Sequence, residues 1–182
     1  RILASLFSAT TARTAGFNSV DTGSLTSASK LLTCVLMFIG GSPGSTAGGI
    51  KTTTIFILVV SLWSGITDRH KTAVFKRRFE DDAIKKASTV FTLNMFLAIF
   101  ALFTILAITD LSLSDVMFEV FSAIGTVGMT TGITRDLSSA ARIIIMVLMF
   151  CGRVGSLSFA LTFLQGKKDP PVYYPEEEIS VG

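Results

Sequence analysis

Two short runs carry the chemistry this sequence can do: Thr14-Ala15-Gly16-Phe17 and Thr126-Val127-Gly128-Met129. Each follows a short apolar segment and contains a glycine, which reaches φ > 0 and leaves space for neighbouring backbone. A turn of this kind presents main-chain carbonyls, which can replace the hydration shell of a monovalent cation. Neither run holds an acidic side chain, so the pattern favours carbonyl coordination over a carboxylate ring for a divalent ion. The carbonyls of Thr14, Gly16, Thr126 and Gly128 are the expected metal ligands. Catalytic residues are not expected. The single histidine, His70, has no metal-binding neighbour, no serine or cysteine is spaced with a base, and Cys34 and Cys151 lie in apolar runs as buried thiols.

A second feature is the break Gly40-Gly41-Ser42-Pro43-Gly44-Ser45-Thr46-Ala47-Gly48-Gly49 between two apolar pieces, Leu31–Ile39 and Ile55–Leu62. Each piece is about half a membrane thick, the pattern of a broken helix whose irregular backbone is tolerated only inside protein or beside a wet cavity. Gly44 to Thr52 resembles a phosphate-binding loop, but Ile50 separates Gly49 from Lys51, so the G-x-x-x-x-G-K-[ST] spacing fails by one residue. A flexible kink and a mobile loop in a permeation path are the other readings. The third feature is Arg153, alone in an apolar run from Ile143 to Leu164. A charge there costs about 2.5–3.5 kcal/mol at mid-membrane, so it is expected to face a cavity, carbonyls or an acidic partner. It is either a packing device or a barrier to cations.

Composition says where these residues sit. Of 182 residues 49% are hydrophobic and only 16% charged, with fifteen Phe and a mean hydropathy of +0.63. Soluble domains carry about 25% charge, so much of this surface is expected to meet lipid. The net charge of +3 is too small and too localised for nucleic acid. Ser88–Thr109 is a charge-free run of 22 residues, about 33 Å as a helix and enough to cross a hydrocarbon core. Ile143–Leu164 is equally long. Leu113–Ile124 and Ile2–Ala9 are too short to cross and read as re-entrant pore helices, the former capped by Ser112; interfacial or buried helices are the alternative. Seven basic residues between Asp68 and Lys86, with Lys167 and Lys168 further on, place both segments on the cytoplasmic side.

The chain also repeats itself. A shift of 112 residues lays Thr14 to Gly44 on Thr126 to Ser156 with 11 identities in 31 positions, including Val35-Leu36-Met37-Phe38 on Val147-Leu148-Met149-Phe150 and Lys30 on Arg142. Phe7-Ser8 meets Phe121-Ser122 after a two-residue adjustment. The unit is short helix, glycine turn, polar link, long helix. The expected fold is an all-α integral membrane protein of parallel helix–pore loop–helix repeats, with one broken transmembrane helix. Residues 1–65 form a repeat lacking its first helix, 66–87 a basic cytoplasmic loop, 88–166 a complete repeat and 167–182 a cytoplasmic tail. The first residues read as the middle of something, so the chain is expected to be the C-terminal part of a longer protein.

Thr11 to Asn18, Gly40 to Thr52 and Gly152-Arg153-Val154-Gly155 resemble the third- and fourth-repeat motifs of the Trk/Ktr/HKT potassium transporter superfamily, and Tyr174 to Gly182 is similar to the C-terminus of its Ktr-type membrane subunit. The resemblance implies potassium uptake across a bacterial plasma membrane, sodium-dependent in the Ktr branch, by a multi-pass transporter that is not an enzyme. It makes Gly16 and Gly128 filter glycines, Gly40 to Gly49 an intramembrane gate and Arg153 a barrier residue. It also implies a membrane homodimer, a cytosolic ring of nucleotide-binding regulatory subunits that hold the nucleotide in place of this chain, and an N-terminal half carrying two further repeats. No covalent cofactor is expected; potassium and sodium are the ions. A proton-linked Trk-type transporter, a non-conducting membrane scaffold and a membrane enzyme are the rival readings.

Overall fold

The structure, a computed structural model, describes residues 2–155 apart from 20, 46, 68–72 and 75–76. Six α-helices follow in order: α1 (Ile2–Thr11), α2 (Ser27–Phe38), α3 (Thr52–Ile66), α4 (Asp81–Ile108), α5 (Leu113–Ile124) and α6 (Ser139–Val154). Between α3 and α4, β1 (Ala73–Val74) and β2 (Arg77–Arg78) form a two-residue antiparallel ladder inside the basic loop. That ladder is a small addition to the all-helical expectation. His70 and the tail from residue 167 lie outside the described residues.

Local sequence explains the boundaries. The Thr26, Ser112 and Ser138 hydroxyls accept the backbone N–H groups of Ser29, Asp115 and Ala141, each at 3.3 Å, and so start α2, α5 and α6. Thr26 and Ser138 are register equivalents in the repeat. Helix α4 begins at Asp81, seven residues before the charge-free run, where Asp82 in the first turn complements the positive end of the helix. It therefore continues across the 87/88 boundary expected from composition.

One expectation fails. The uninterrupted helix over Ile143–Leu164 ends at Val154, where Gly155 takes φ 90°. Arg153 therefore lies in the last turn of α6. The residues after 155 are outside the described ones.

Helix α5 is the centre of the packing, held by α2, α4 and α6, while α3 lies on α4. One side of α5 (Val116, Val120, Ile124) joins Phe38, Ile105, Ile145 and Leu148; the other (Phe118) joins Ala12, Cys34, Met37, Val127 and Met129. The Phe38 ring stands edge-on to Phe91 and Phe121, with centroids 5.9 and 5.4 Å away. Outward faces stay apolar: Trp63 on α3 is 68% exposed and Phe103 on α4 is 74% exposed. Among the described helices, α4 is the one long and apolar enough to cross a membrane.

Candidate functional site

The helix ends at α1 and α5 lead into two turns with the same backbone. Thr14 and Thr126 take φ 66° and 52°, and Gly16 and Gly128 take 72° and 84°. Among the described residues these threonines are the two non-glycines with positive φ. A β-branched side chain resists that region strongly, and holding it there costs on the order of 1–3 kcal/mol. Strain of this kind, present twice at equivalent positions, marks a shape that both copies hold against the intrinsic preference of threonine.

Each turn is braced by a hydroxyl from the last turn of its short helix. Thr11 Oγ1 accepts the Phe17 N–H at 2.7 Å and donates to the Phe17 carbonyl at 3.2 Å. Ser122 Oγ donates to the Met129 carbonyl at 2.6 Å. Phe17 and Met129 are the residues after each glycine, so the braces fix the far side of both turns. Sequence reading passed over Thr11 and Ser122. The signal available was a hydroxyl six or seven residues before the post-glycine position in both copies.

The turns also meet. A Cβ at Gly16 would overlap the Val127 carbonyl oxygen, so only glycine lets the two backbones approach this closely. Beside the contact, Asn18 Nδ2 donates to the Thr130 carbonyl at 3.2 Å and the Thr22 hydroxyl donates to the same oxygen. The buried Glu119 carboxylate accepts the Thr130 and Thr134 hydroxyls, the latter at 2.9 Å. Thr14, Ala15, Gly16, Phe17, Thr126, Val127, Gly128 and Met129 are thus gathered in one place.

The Gly40 to Gly49 segment lies against the second turn. Gly48 N–H donates to Thr126 Oγ1 at 3.1 Å, and a Cβ at Gly48 would overlap the Thr126 side chain. The neck of the loop is closed by three backbone bonds: Gly40 N–H to the Ile50 carbonyl (2.8 Å), Ile50 N–H to Phe38 (3.1 Å) and Thr52 N–H to Gly41 (3.2 Å). Lys51 is the residue just before α3, where the helix dipole disfavours a cation. Its ammonium instead reaches back to the Ser45 and Ala47 carbonyls at 3.0 and 2.6 Å. Thr46 is outside the described residues. Arg153, in the last turn of α6, has a helix terminus that favours positive charge.

An ion pair joins the copies at the start of α5. Lys30, buried in α2, donates to Asp115 at 2.8 Å. The Lys30 hydrogen bond, then that of Ser112, holds the Asp115 carboxyl below its ordinary range. Among the described residues no group of three His, Cys, Asp or Glu side chains gathers as a metal site.

Fold and site together define a helical protein in which two copies of a short helix, strained glycine turn and longer helix touch at their turns, with an irregular segment against one of them. The chain belongs to the TrkH family of cation transport proteins, whose family model matches residues 1–169. That is a family of transporters and not of enzymes. The Ktr system potassium uptake protein B of Bacillus subtilis is 37% identical over 182 residues, all of this chain and 41% of that protein. The potassium/sodium uptake protein NtpJ of Enterococcus hirae is 36% identical over 189 residues, with 100% and 42% covered. The Ktr system potassium uptake protein D of Bacillus subtilis is 39% identical over 181 residues, with 98% and 40% covered. The crystal structure of the potassium transporter TrkH from Vibrio parahaemolyticus superposes with a TM-score of 0.66 at 21% identity, over 86% of this chain and 35% of that one. The chain spans about two-fifths of the length of the curated relatives it matches.

Proposed function

We propose that this chain contributes half of a potassium-uptake pathway across a cell membrane, with the two Thr-x-Gly turns as parts of a carbonyl-lined filter. The observation that carries the reading is the pair of strained threonines, each two residues before a left-handed glycine, in turns that touch. Short helices α1 and α5 end at these turns and aim their partly negative ends at the same point, which favours a cation. Names of the relatives supply the ion, since three of them are potassium or potassium/sodium uptake proteins. The apolar faces of α3 and α4 supply the lipid contact, and the basic residues around β1 and β2 supply an inward-facing loop.

In this reading α2 and α3 are the halves of one broken transmembrane helix, and the segment between them is the gate. The hydrogen bond from Gly48 to Thr126, which sets this segment against the second turn, supports that reading. Arg153 adds a positive charge on the same side. Sodium dependence, a membrane homodimer and a regulatory nucleotide-binding ring on the basic loop and tail complete the Ktr-type reading.

The test is potassium uptake by the full-length protein in a bacterium lacking its own potassium systems. Growth at low potassium is expected, together with faster flux when Gly41 to Gly44 are deleted or Arg153→Ala is made. No uptake by a well-expressed, folded protein would refute the function. Unchanged or slower flux in both variants would reduce the loop to a structural break and Arg153 to a packing device.

A further inference from the structure

The second glycine turn is met at both of its ends. The Gly40 to Gly49 segment touches it at Thr126, two residues before Gly128. Thr130, two residues after that glycine, lies at the other end, where the two copies build a small cleft. Asn18, Asp21 and Thr22 of the first copy and Thr130, Thr131 and Gly132 of the second line its ≈ 240 Å³. Each of them is polar or a glycine, in a molecule whose α3 and α4 faces are apolar.

Both walls are held in shape. The Asn18 amide nitrogen and the Thr22 hydroxyl donate to the Thr130 carbonyl, so Asn18 keeps its amide oxygen as an acceptor. Gly23 N–H donates to Asp21 Oδ1 at 3.0 Å, and the Ser24 hydroxyl donates to the Asp21 carbonyl at 2.9 Å. An added Cβ at Gly23 would stand 3.1 Å from the Thr131 carbonyl oxygen, so the two loops approach closely beside the cleft. One polar atom is left over. Thr131 Oγ1 is buried and has no hydrogen-bond partner among the described residues, and such an atom is normally met by water or an ion. Asp21 is exposed and is the one carboxylate of the lining. A shift of 112 residues carries it to Ile133, so the acid belongs to this joint and not to the repeat.

We infer that this cleft is a loading site for a singly charged alkali cation, which Asp21 holds with part of its water before the ion enters the glycine turns. Calcium takes about six to eight oxygen ligands, commonly with several carboxylates; here one carboxylate stands among neutral amide, hydroxyl and carbonyl oxygens. The volume leaves room for the ion's water, at about 30 Å³ per molecule. A negative charge in a concave polar wall raises the local concentration of cations and their rate of entry. The loading role rests on the reading of the two turns as a filter, which sets the direction of travel.

The experiment is anomalous diffraction from crystals of the full-length protein grown with thallium(I) in place of potassium, beside potassium-uptake kinetics. Wild type is expected to show a thallium peak in the cleft in addition to peaks at the turns. Asp21→Asn is expected to lose the cleft peak, keep those at the turns and raise the half-saturating potassium concentration several-fold at low ionic strength. Asp21→Glu should retain the peak. Asp136→Asn, at an exposed acid on the same loop but outside the cleft lining, should change half-saturation little. Peaks at the turns with none in the cleft of wild type would overturn the loading site and leave the filter reading intact, whereas a cleft peak with empty turns would refute the filter reading. Half-saturation unchanged in a folded Asp21→Asn variant, or raised equally by Asp136→Asn, would also overturn the loading role.

Discussion

The two copies of the repeat share a backbone but not a setting. Helix α5 buries seven of its twelve residues, whereas α1 buries only Thr11 among its ten. Leu3 is 82% exposed, while Phe118 in the second copy is fully enclosed. A cleft of ≈ 340 Å³ separates α1 from α2, yet α6 comes so close to α5 that Gly152 admits no Cβ against the Ile124 carbonyl. Even so, both turns adopt the same left-handed threonine and left-handed glycine. Turn shape is therefore set by the local sequence and its own hydroxyl brace, and packing by the neighbours each copy finds. The second copy has α4 and α2 against it.

Thermal unfolding of the solubilised full-length protein can break that comparison. The largest effect is expected at Phe118→Ala, a loss of about 3–5 kcal/mol, as for other large buried aromatics. Leu6→Ala in α1, at a 61% exposed position, should change this segment's stability by no more than about 0.5 kcal/mol. Equal losses would mean that both copies are packed alike.

Next in size is Asp115→Asn, expected to cost about 1.5–3 kcal/mol because a hydrogen bond between charged groups is lost. Its pH signature has a definite sign. The folded-state pKa of Asp115 lies below its unfolded value, so its contribution is full above about pH 4 and disappears as pH falls through the folded value. The Asn variant should lack that part of the acid loss. An identical acid profile in wild type and variant would remove the Lys30 pair from the account.

Gly152→Ala is expected to cost about 1–3 kcal/mol, since two packed helices must part. Its register equivalent, Gly40→Ala, meets the Gly48 carbonyl of an irregular segment and should cost less. A larger loss at Gly40 would mean that the loop is the more rigid of the two neighbours. The smallest effect concerns the hydroxyls. Thr126→Val removes the acceptor for Gly48 N–H and should cost about 1 kcal/mol, with faster amide exchange at Gly48. Thr14→Val should leave that amide alone, because the Thr14 hydroxyl donates only to its neighbour's carbonyl, that of Arg13, at 2.6 Å.

Much of this was legible in the residues. Ser112 as the cap of α5, the bounds of α5 itself and the pairing of two Thr-x-Gly turns follow from local propensity and from a repeat in register. Long-range geometry was not. Nothing near Lys30 in the chain announces Asp115, 85 residues away, although the Lys30–Arg142 match hinted that the position matters. Lys51 was weighed against a phosphate-binding pattern, while its partners are two carbonyls within its own loop. The end of α6 at Gly155 was hidden because hydropathy counts glycine as neutral, whereas its φ of 90° is decided by backbone geometry.

The central claim is that the glycine turns face the ion. Gly128 tests it better than Gly16, because an added Cβ there has no described atom within 4 Å and costs only the backbone strain of φ 84°, while a Cβ at Gly16, itself at φ 72°, would also strike Val127. The measurement is the ratio of potassium to sodium flux through full-length Gly128→Ser in liposomes, beside its thermal stability. The account predicts a ratio reduced at least tenfold in a protein that still folds and transports, with its stability lowered only by the strain of a side chain at φ 84°, on the order of 1–3 kcal/mol. An unchanged ratio in a folded, transporting variant would contradict it.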